Sequence, residues 1–339
     1  MKQHNCFFEI IDPSDFSSVK EANEEIFNKL KSGNYDLFMT CLGDLFFDLK
    51  ELKIITSMGV RSLLFCPDNL KVPFAHKKIC KYFSLVWLTS KETEYLFKRW
   101  SAKTIFMPYA ANPNFLKYDS DYIENSSIGF IGTPYGSRTN TINYLTKNDI
   151  PVCVHANIEK NTSVINASFT EYSKAIFYYL RFRIGFKLFL AALINKLKRG
   201  TSIDLVNRKI SIMDSVDLTN LDKYNRVYSL TLSFGDAGHT GILKKPVDVV
   251  NLRNFEIPMS GGLEFTRYTK ELSNYFEEGK EIIFYKSKKE MIDKARYYLS
   301  EDMKDTRERM KKAARLRAER EHTWYCRFKK IFEILEIGE

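Results

Sequence analysis

The sequence predicts an α/β protein made of two Rossmann-like domains facing a cleft, and three observations lead there. Short apolar runs alternate with amphipathic stretches along the first third of the chain. The alternation lapses over a polar segment, FLKYDSDYIENSS, and then resumes. The chain has 339 residues, and at about 100–200 residues per domain that length suits two.

The elements follow in order. FFEII (7–11) reads as a strand, and SSVKEANEEIFNKLKSG (17–33) as a helix with a glycine stop. YDLFMTCLG, the helical DLFFDLKELKIITSMG and RSLLFCPD come next, followed by FAHKKICKYF, SLVWLTS, KETEYLFKRWS and AKTIFMPYAAN. Apolar strands separated by helical stretches specify a parallel sheet, because parallel neighbours need a crossover connection. Asp15 and Ser90 are N-cap candidates, and Gly33 and Gly59 helix stops. Residues 1–114 therefore form the N-terminal domain, 115–126 a linker and 127–318 the C-terminal domain, with a closing helix at 319–339 that packs back on the N-terminal domain. The second series runs SIGFIGTPYGSR, helical TNTINYLTKN and IPVCVHAN, then, after an interruption at about 160–212, VYSLTLSF, FEIPMSGG and the strand EIIFYKS. Open α/β sheets bind ligands at the carboxyl ends of their strands, which here carry the loops GTPYGSR and SFGDAGHTG.

Composition removes several classes. With 15 Gly, 9 Pro and 44% hydrophobic residues, the chain is neither disordered nor fibrous. Six scattered cysteines without a C-x-x-C pair read as reduced thiols of a cytosolic protein. The N-terminus shows no signal peptide, and no stretch of about 20 residues is free of charge, so no spanning helix is expected.

The net charge of +10 is concentrated. EYSKAIFYYLRFRIGFKLFLAALINKLKRG (171–200) has seven Lys or Arg against one Glu. Arg181, Arg183 and Lys187 sit too centrally for a spanning helix. A basic helix with a wide apolar surface suits an anionic membrane surface, with those three residues as contacts. The alternative is a helix packed on the C-terminal domain with its basic side in water. The aliphatic content suits lipid better than nucleic acid, and the basic tail EDMKDTRERMKKAARLRAEREH, laced with opposite charges, reads as a solvated helix.

Two loops offer chemistry. In GTPYGSR, Gly132 and Gly136 let backbone N–H groups approach an anion and Arg138 adds charge near a helix start, although the same residues would also simply make a turn. In LRNFEIPMSGGLEFT, the carboxylate of Glu256 suits a vicinal diol, the pair Gly261-Gly262 would free backbone donors for a diphosphate, and Arg253 would compensate charge. A salt bridge is the structural alternative for Glu256.

These pieces, with LSNYFEEGKEIIFYKSKKEMIDKARYYLSED (272–302) and RLRAEREHTWYCRFKKIFEIL (315–335), resemble glycosyltransferases of the GT-B fold, specifically the spore-maturation CgeB-like group. CPDNLKVPF (66–74) and IFMPYAANPNF (105–115) are similar to that group's N-terminal domain. The resemblance implies a nucleotide-sugar donor, no obligatory cofactor or metal, and a surface-glycan, lipid-linked or protein acceptor; the basic insert would hold the enzyme at the inner face of the cell membrane. The resemblance also implies that Glu256 binds the donor ribose. Gly261, Gly262 and the helix they open would cradle the diphosphate, with Gly132 and Arg138 across the cleft. Asp68 would be a base or acceptor-orienting group on the acceptor side, or else the cap of its own turn. The resemblance has two departures. The family's E-x7-E pair would put its first Glu at Asp248, and Glu256 and Glu264 share that spacing with the wrong partner. A first strand with a Gly-rich turn is also missing, so the N-terminal domain is expected to be short or to lack its first βα unit. A non-catalytic GT-B-like binding or surface-assembly protein is the alternative expectation.

Overall fold

A computed structural model describes residues 6–119, 121–157, 169–197 and 202–338. The chain divides into two compact units, Met1–Pro108 with Tyr325–Glu339, and Tyr109–Trp324.

In the first unit, α1 (Val19–Ser32), β1 (Leu37–Thr40), α2 (Leu49–Ile55), β2 (Arg61–Cys66), β3 (Leu85–Leu88), α3 (Glu94–Arg99) and β4 (Thr104–Phe106) follow in order. The four strands are parallel and lie in sequence order, β1-β2-β3-β4. β3 is buried along its whole length, which is why SLVWLTS reads as a continuous apolar run. Its Trp87 is fully buried; the indole N–H donates to the Met107 carbonyl at 2.8 Å, and the ring meets Phe65 at 4.6 Å and Phe328 at 5.7 Å. Phe328 belongs to the last helix of the chain, Trp324–Leu335, whose Ile331 and Leu335 are buried and whose Arg327 Nε donates to the Pro108 carbonyl at 3.2 Å.

Three expectations in this unit are corrected. FFEII is not a strand: residues 6–12 join no sheet, Phe7 is 91% exposed, and Glu9 is instead ion-paired with Lys29 of α1 at 2.9 Å. The cap of α1 is Ser18, which accepts from Glu21 N–H, while the Glu21 carboxylate accepts from Ser17, an arrangement Asp15 sits too early to make. FAHKKICKYF supplies only two single 3-10 turns, Pro73–His76 and Cys80–Tyr82, so no full helix links β2 to β3.

The second unit contains β5 (Asn125–Ile131), α4 (Ser137–Lys147), β6 (Val152–His155), α5 (Phe169–Leu180), α6 (Arg183–Leu197), β7 (Ile210–Met213), α7 (Leu221–Val227), β8 (Tyr228–Leu232), α8 (Arg253–Met259), β9 (Glu264–Arg267), β10 (Ile283–Tyr285), α9 (Lys288–Leu299) and α10 (Lys304–Glu321). The Trp324–Leu335 helix is α11. The sheet is parallel, in the order β10-β9-β8-β5-β6-β7. Gly129 on β5 admits the Tyr228 ring, since a Cβ there would lie 2.1 Å from it. The Tyr228 hydroxyl thereby reaches Cys153 Sγ at 3.1 Å and His155 Nε2 at 2.5 Å.

Several boundaries differ from the sequence reading. The polar stretch 115–126 lies within the second unit. Leu116 is buried, its carbonyl accepts from Arg315 at 2.7 Å, and Glu124 pairs with the buried Arg307 and, at 3.1 Å, with Lys311. FEIPMSGG is the body and end of α8, and the following Glu264–Arg267 supplies the strand. The 171–200 segment is not one helix but a hairpin of α5 and α6 that breaks at Arg181–Phe182. Phe182 turns inward, and Gly185 packs so closely that a Cβ would lie 2.0 Å from the Tyr179 carbonyl oxygen and 2.6 Å from the Phe182 ring. Within the expected 160–212 interruption, Ile210–Met213 rejoins the sheet beside β6; residues 158–168 and 198–201 lie outside the described residues.

Candidate ligand site at the topological switch point

From β5 the second sheet grows through β6 to β7 on one side, and from β8 through β9 to β10 on the other. The connections therefore diverge between β5 and β8, and a crevice is expected at the carboxyl ends of those two strands. Their loops are residues 132–136 and 233–241.

The first loop depends on two glycines. Gly132 and Gly136 have φ of 142° and 56°, conformations L side chains rarely adopt. No side chain caps the start of α4, and Arg138 N–H there donates to the Tyr135 carbonyl at 3.1 Å. Arg138, in the first turn, donates through Nη1 to the Thr133 carbonyl at 3.3 Å. Its guanidinium stands 4.3 Å from the Tyr135 ring centre and 5.6 Å from that of Phe234, and Nε is buried without a hydrogen-bond partner.

The second loop is tied to the first by Asp236. This buried carboxylate accepts from Gly241 N–H at 3.1 Å and from the Ser137 hydroxyl at 3.3 Å. Burial pushes its pKa up, against the pull of Arg138 and Arg267. His239 stacks edge-on to Tyr135 at 5.1 Å, and its Nδ1 is buried without a partner. Burial, then the Arg138 charge, lower its pKa, so the ring is neutral at neutral pH. A Cβ on Gly136 would lie 2.8 Å from that Nδ1 and 3.3 Å from Oδ1 of Asn195 on α6, so the insert reaches this loop.

α8 begins beside the same loop. Val249 N–H donates to the Gly235 carbonyl at 2.9 Å, and Asn251 Nδ2 to the Phe234 carbonyl at 2.8 Å, while Asn251 Oδ1 accepts from Arg253 N–H. In the first turn Arg253 Nη1 lies 3.2 Å from Glu256 Oε2, yet that nitrogen makes no hydrogen bond. Burial raises the pKa of Glu256 and Arg253 opposes the rise. Asp248 is held by Arg267 and bridges to Asp236 through the backbone. Behind these, the wholly buried Glu264 accepts from the Ser233 hydroxyl and, at 2.5 Å, from Asn254 Nδ2, so one carboxyl braces both the loop and α8. Its other oxygen has no partner, and burial lifts its pKa to about 7.

Gly132 and Arg138 thus fall at the β5–α4 turn, and Arg253 and Glu256 on α8, which starts beside the loop after β8. Gly261 and Gly262 close α8 instead of opening a helix, and a Cβ on Gly262 would meet the Asn225 carbonyl oxygen at 2.5 Å, at the amino ends of the strands. Gly261, at φ 75°, lies where a Cβ would be 2.6 Å from the Tyr118 ring. Asp68 belongs to the first unit, in the loop after β2; it is exposed, has φ of 53° and lies 3.9 Å from Lys71. Arg181 and Arg183 are exposed at the hairpin turn, and Lys187 is half-buried on α6. Sequence reasoning missed Asp236, Asn251 and Asn254. The first stands in a loop already marked as a strand-end glycine loop; the two asparagines carry no signal short of their backbone partners. Among the described residues, no group of three or more His, Cys, Asp or Glu is placed to hold a metal ion.

Residues 215–333 match a family model described as glycosyl transferase-like. No curated protein matches the chain. Among solved structures, Anabaena HepE in complex with UDP-glucose is similar at 12% identity and TM-score 0.56, over 99% of this chain and 87% of that one. A glycosyltransferase from Rickettsia africae is similar at 12% and 0.55, over 99% and 85%. Sucrose-phosphate synthase from Thermosynechococcus elongatus follows at 10% and 0.50, over 94% and 79%. The fold, two parallel-sheet Rossmann-like units, is that of the GT-B glycosyltransferases.

Proposed function

We propose that the chain is a glycosyltransferase, of hexosyl type, that moves a sugar from a nucleotide-activated donor to a surface-glycan, lipid-linked or protein acceptor on the cytoplasmic side of a membrane. The observation that carries this reading is the set of unmatched polar atoms at the switch point. Arg138 Nε and His239 Nδ1 are buried there without hydrogen-bond partners, and α4 starts without a side-chain cap beside Arg138. Buried polar atoms of this kind cost free energy unless something pairs with them, and a guanidinium at a helix start suits an anion, with Arg253, ion-paired with Glu256 at 3.2 Å, as a second cation on α8. A nucleoside diphosphate fits: its phosphates on residues 132–138, and its ribose hydroxyls on Glu256, which accepts two hydrogen bonds as a carboxylate. The donor site draws nothing from Gly261-Gly262, which pack at the other end of the sheet.

Catalysis in this reading is electrostatic. Arg138, Arg253 and the α4 N–H groups stabilise the charge that grows on the departing nucleoside diphosphate as the glycosidic bond breaks. Asp68 is the candidate acceptor-side group. The motif order resembling the CgeB-like group belongs to the same proposal.

Thermal-shift titration against UDP-, GDP-, TDP- and CMP-sugars tests the reading. One nucleotide should raise the melting temperature through preferential binding to the folded state. Glu256→Ala and Arg138→Ala should each abolish the shift. Silence across the panel sinks the transferase reading, and a shift that survives both substitutions moves the donor elsewhere. A non-catalytic binding protein is the second reading, favoured by one observation: Asp248, where the family's first Glu would stand, is already held by Arg267. Slow donor hydrolysis by the purified protein separates the two.

A further inference from the structure

The α5–α6 hairpin carries apolar side chains that the second unit does not cover. Phe177 and Leu180 on α5, and Phe186, Leu193 and Leu197 on α6, are all exposed, Phe177 and Leu197 by more than 70%. Phe186, Leu193 and Leu197 fall at i, i+7 and i+11 and so share one side of α6. Cations border this apolar surface. Arg181 and Arg183 are exposed at the turn, between Leu180 and Phe186, and Lys174 and Lys196 are exposed further along the two helices. Acidic residues are scarce: the 171–200 segment holds seven cations and one Glu. No helix among the described residues is long and apolar enough to cross a bilayer.

The other end of α6 has a different neighbour. α6 packs against the 3-10 turn Thr240–Ile242, and Asn195 stands against Gly136. From Arg183 to Asn195 the helix spans about 18 Å at 1.5 Å per residue. One rigid element therefore joins an amphipathic, basic turn to the loop that carries Arg138.

We propose that this hairpin docks the protein on an anionic bilayer. Phe177, Leu180 and Phe186 enter the boundary between headgroups and acyl chains, and Arg181 and Arg183 pair with lipid phosphates. Charge selects the occupant. A neutral protein partner would match the aromatic side chains but not the cations around them, whereas an anionic leaflet matches both. A second copy of this chain would bring two positive turns together. The docking stands apart from the transferase reading; what rests on that reading is the consequence that the acceptor is a lipid-borne one, delivered by the surface itself.

Flotation of the full chain with vesicles tests this. With vesicles of 30% phosphatidylglycerol in phosphatidylcholine, the protein is expected to float, and with phosphatidylcholine alone to stay in solution. Phe177→Ser with Phe186→Ser should lower the bound fraction at least tenfold. Arg181→Glu with Arg183→Glu should do the same, while leaving the cooperative melt and any nucleotide-induced shift in place. Equal binding to both vesicle types, retention by both variants, or a wild-type dimer dissolved by the Phe variant would overturn the proposal. A nucleotide shift that persists while flotation fails overturns the docking alone; flotation without any nucleotide response overturns the transferase reading alone.

Discussion

The two sheets are both parallel, yet only one has a place for a ligand written into its topology. In the first unit the strands run β1-β2-β3-β4, each laid beside the last, so successive connections never part. In the second the order β10-β9-β8-β5-β6-β7 reverses at β5 and β8, and the two loops that leave those strands diverge. The loops of the first unit show the consequence. The loop after β2 is closed by Asn69, fully buried, whose amide donates to the Ser90 carbonyl and Thr93 Oγ1 and whose Oδ1 accepts from Thr89 and Ser90 N–H. At the second unit's switch point, by contrast, Arg138 Nε and His239 Nδ1 lack partners. In the first unit the comparable atom is His76 Nδ1, buried without a hydrogen-bond partner in the turn Pro73–His76; at the switch point two such atoms face each other's loops.

That contrast can be broken at its strongest point first. Trp87 anchors the first unit, so Trp87→Ala is expected to cost about 3–5 kcal/mol, visible as a lower denaturant midpoint. A nucleotide-induced shift should survive below that transition. Its loss in the still-folded variant would show that the donor site needs the first unit's core and that the contrast is wrong.

A slightly smaller effect should come from Glu264. Its carboxyl has an ordinary pKa near 4.5 and is lifted to about 7 in the fold by burial. Between those values the folded state holds a proton the unfolded chain has lost. Stability from this group is therefore full below pH 4.5 and is lost as pH rises to 7, by about 3 kcal/mol. Glu264→Gln should flatten that part of the stability–pH curve, measured by urea unfolding at several pH values. An unchanged slope would mean the carboxyl is not the group that titrates.

The smallest effect on folding is expected at Asp68. It is exposed with φ of 53°, a conformation asparagine tolerates as well as aspartate does. Asp68→Asn should change stability by less than about 0.5 kcal/mol. If the first unit supplies an acceptor-side base, acceptor-dependent transfer should drop about 100-fold while donor hydrolysis is unaffected. Undiminished transfer would leave Asp68 as the cap of its turn.

Strands buried on both faces were the most legible elements. SLVWLTS, RSLLFCPD and VYSLTLSF are runs that only a sheet interior accommodates, and each forms its strand. FFEII carries a similar composition yet stays off the sheet, although β1 is an outer strand, and composition does not record pairing. FEIPMSGG misleads through Pro258 and the glycine pair, which look like a strand entering a turn. In the fold Pro258 lies near the end of α8, and Gly261 allows the chain to turn back toward β9. The hairpin break is equally hidden, since it depends on Gly185 meeting the Tyr179 carbonyl, six residues back around a bend. For the site, the glycine loop with Arg138, and Arg253 with Glu256, were recoverable from residue type and strand-end position. In the sequence Glu264 stands out only by its spacing from Glu256; its bracing of Ser233 and Asn254 appears once β9 lies beside β8.

Periodicity, turn residues and the local excess of cations are enough to specify an α/β chain with parallel strands, a basic amphipathic insert and two strand-end loops capable of meeting an anion. These are properties of segments a few turns long, where side-chain type dictates which face is buried. Strand order is another matter. Whether β8 lies beside β5 or beyond β7 depends on contacts between residues roughly a hundred positions apart, and the same segments would suit either arrangement. That choice set the two loops side by side, with Arg138 at the start of one helix and Arg253 at the start of another beside them, and left Gly261 and Gly262 at the opposite end of the sheet.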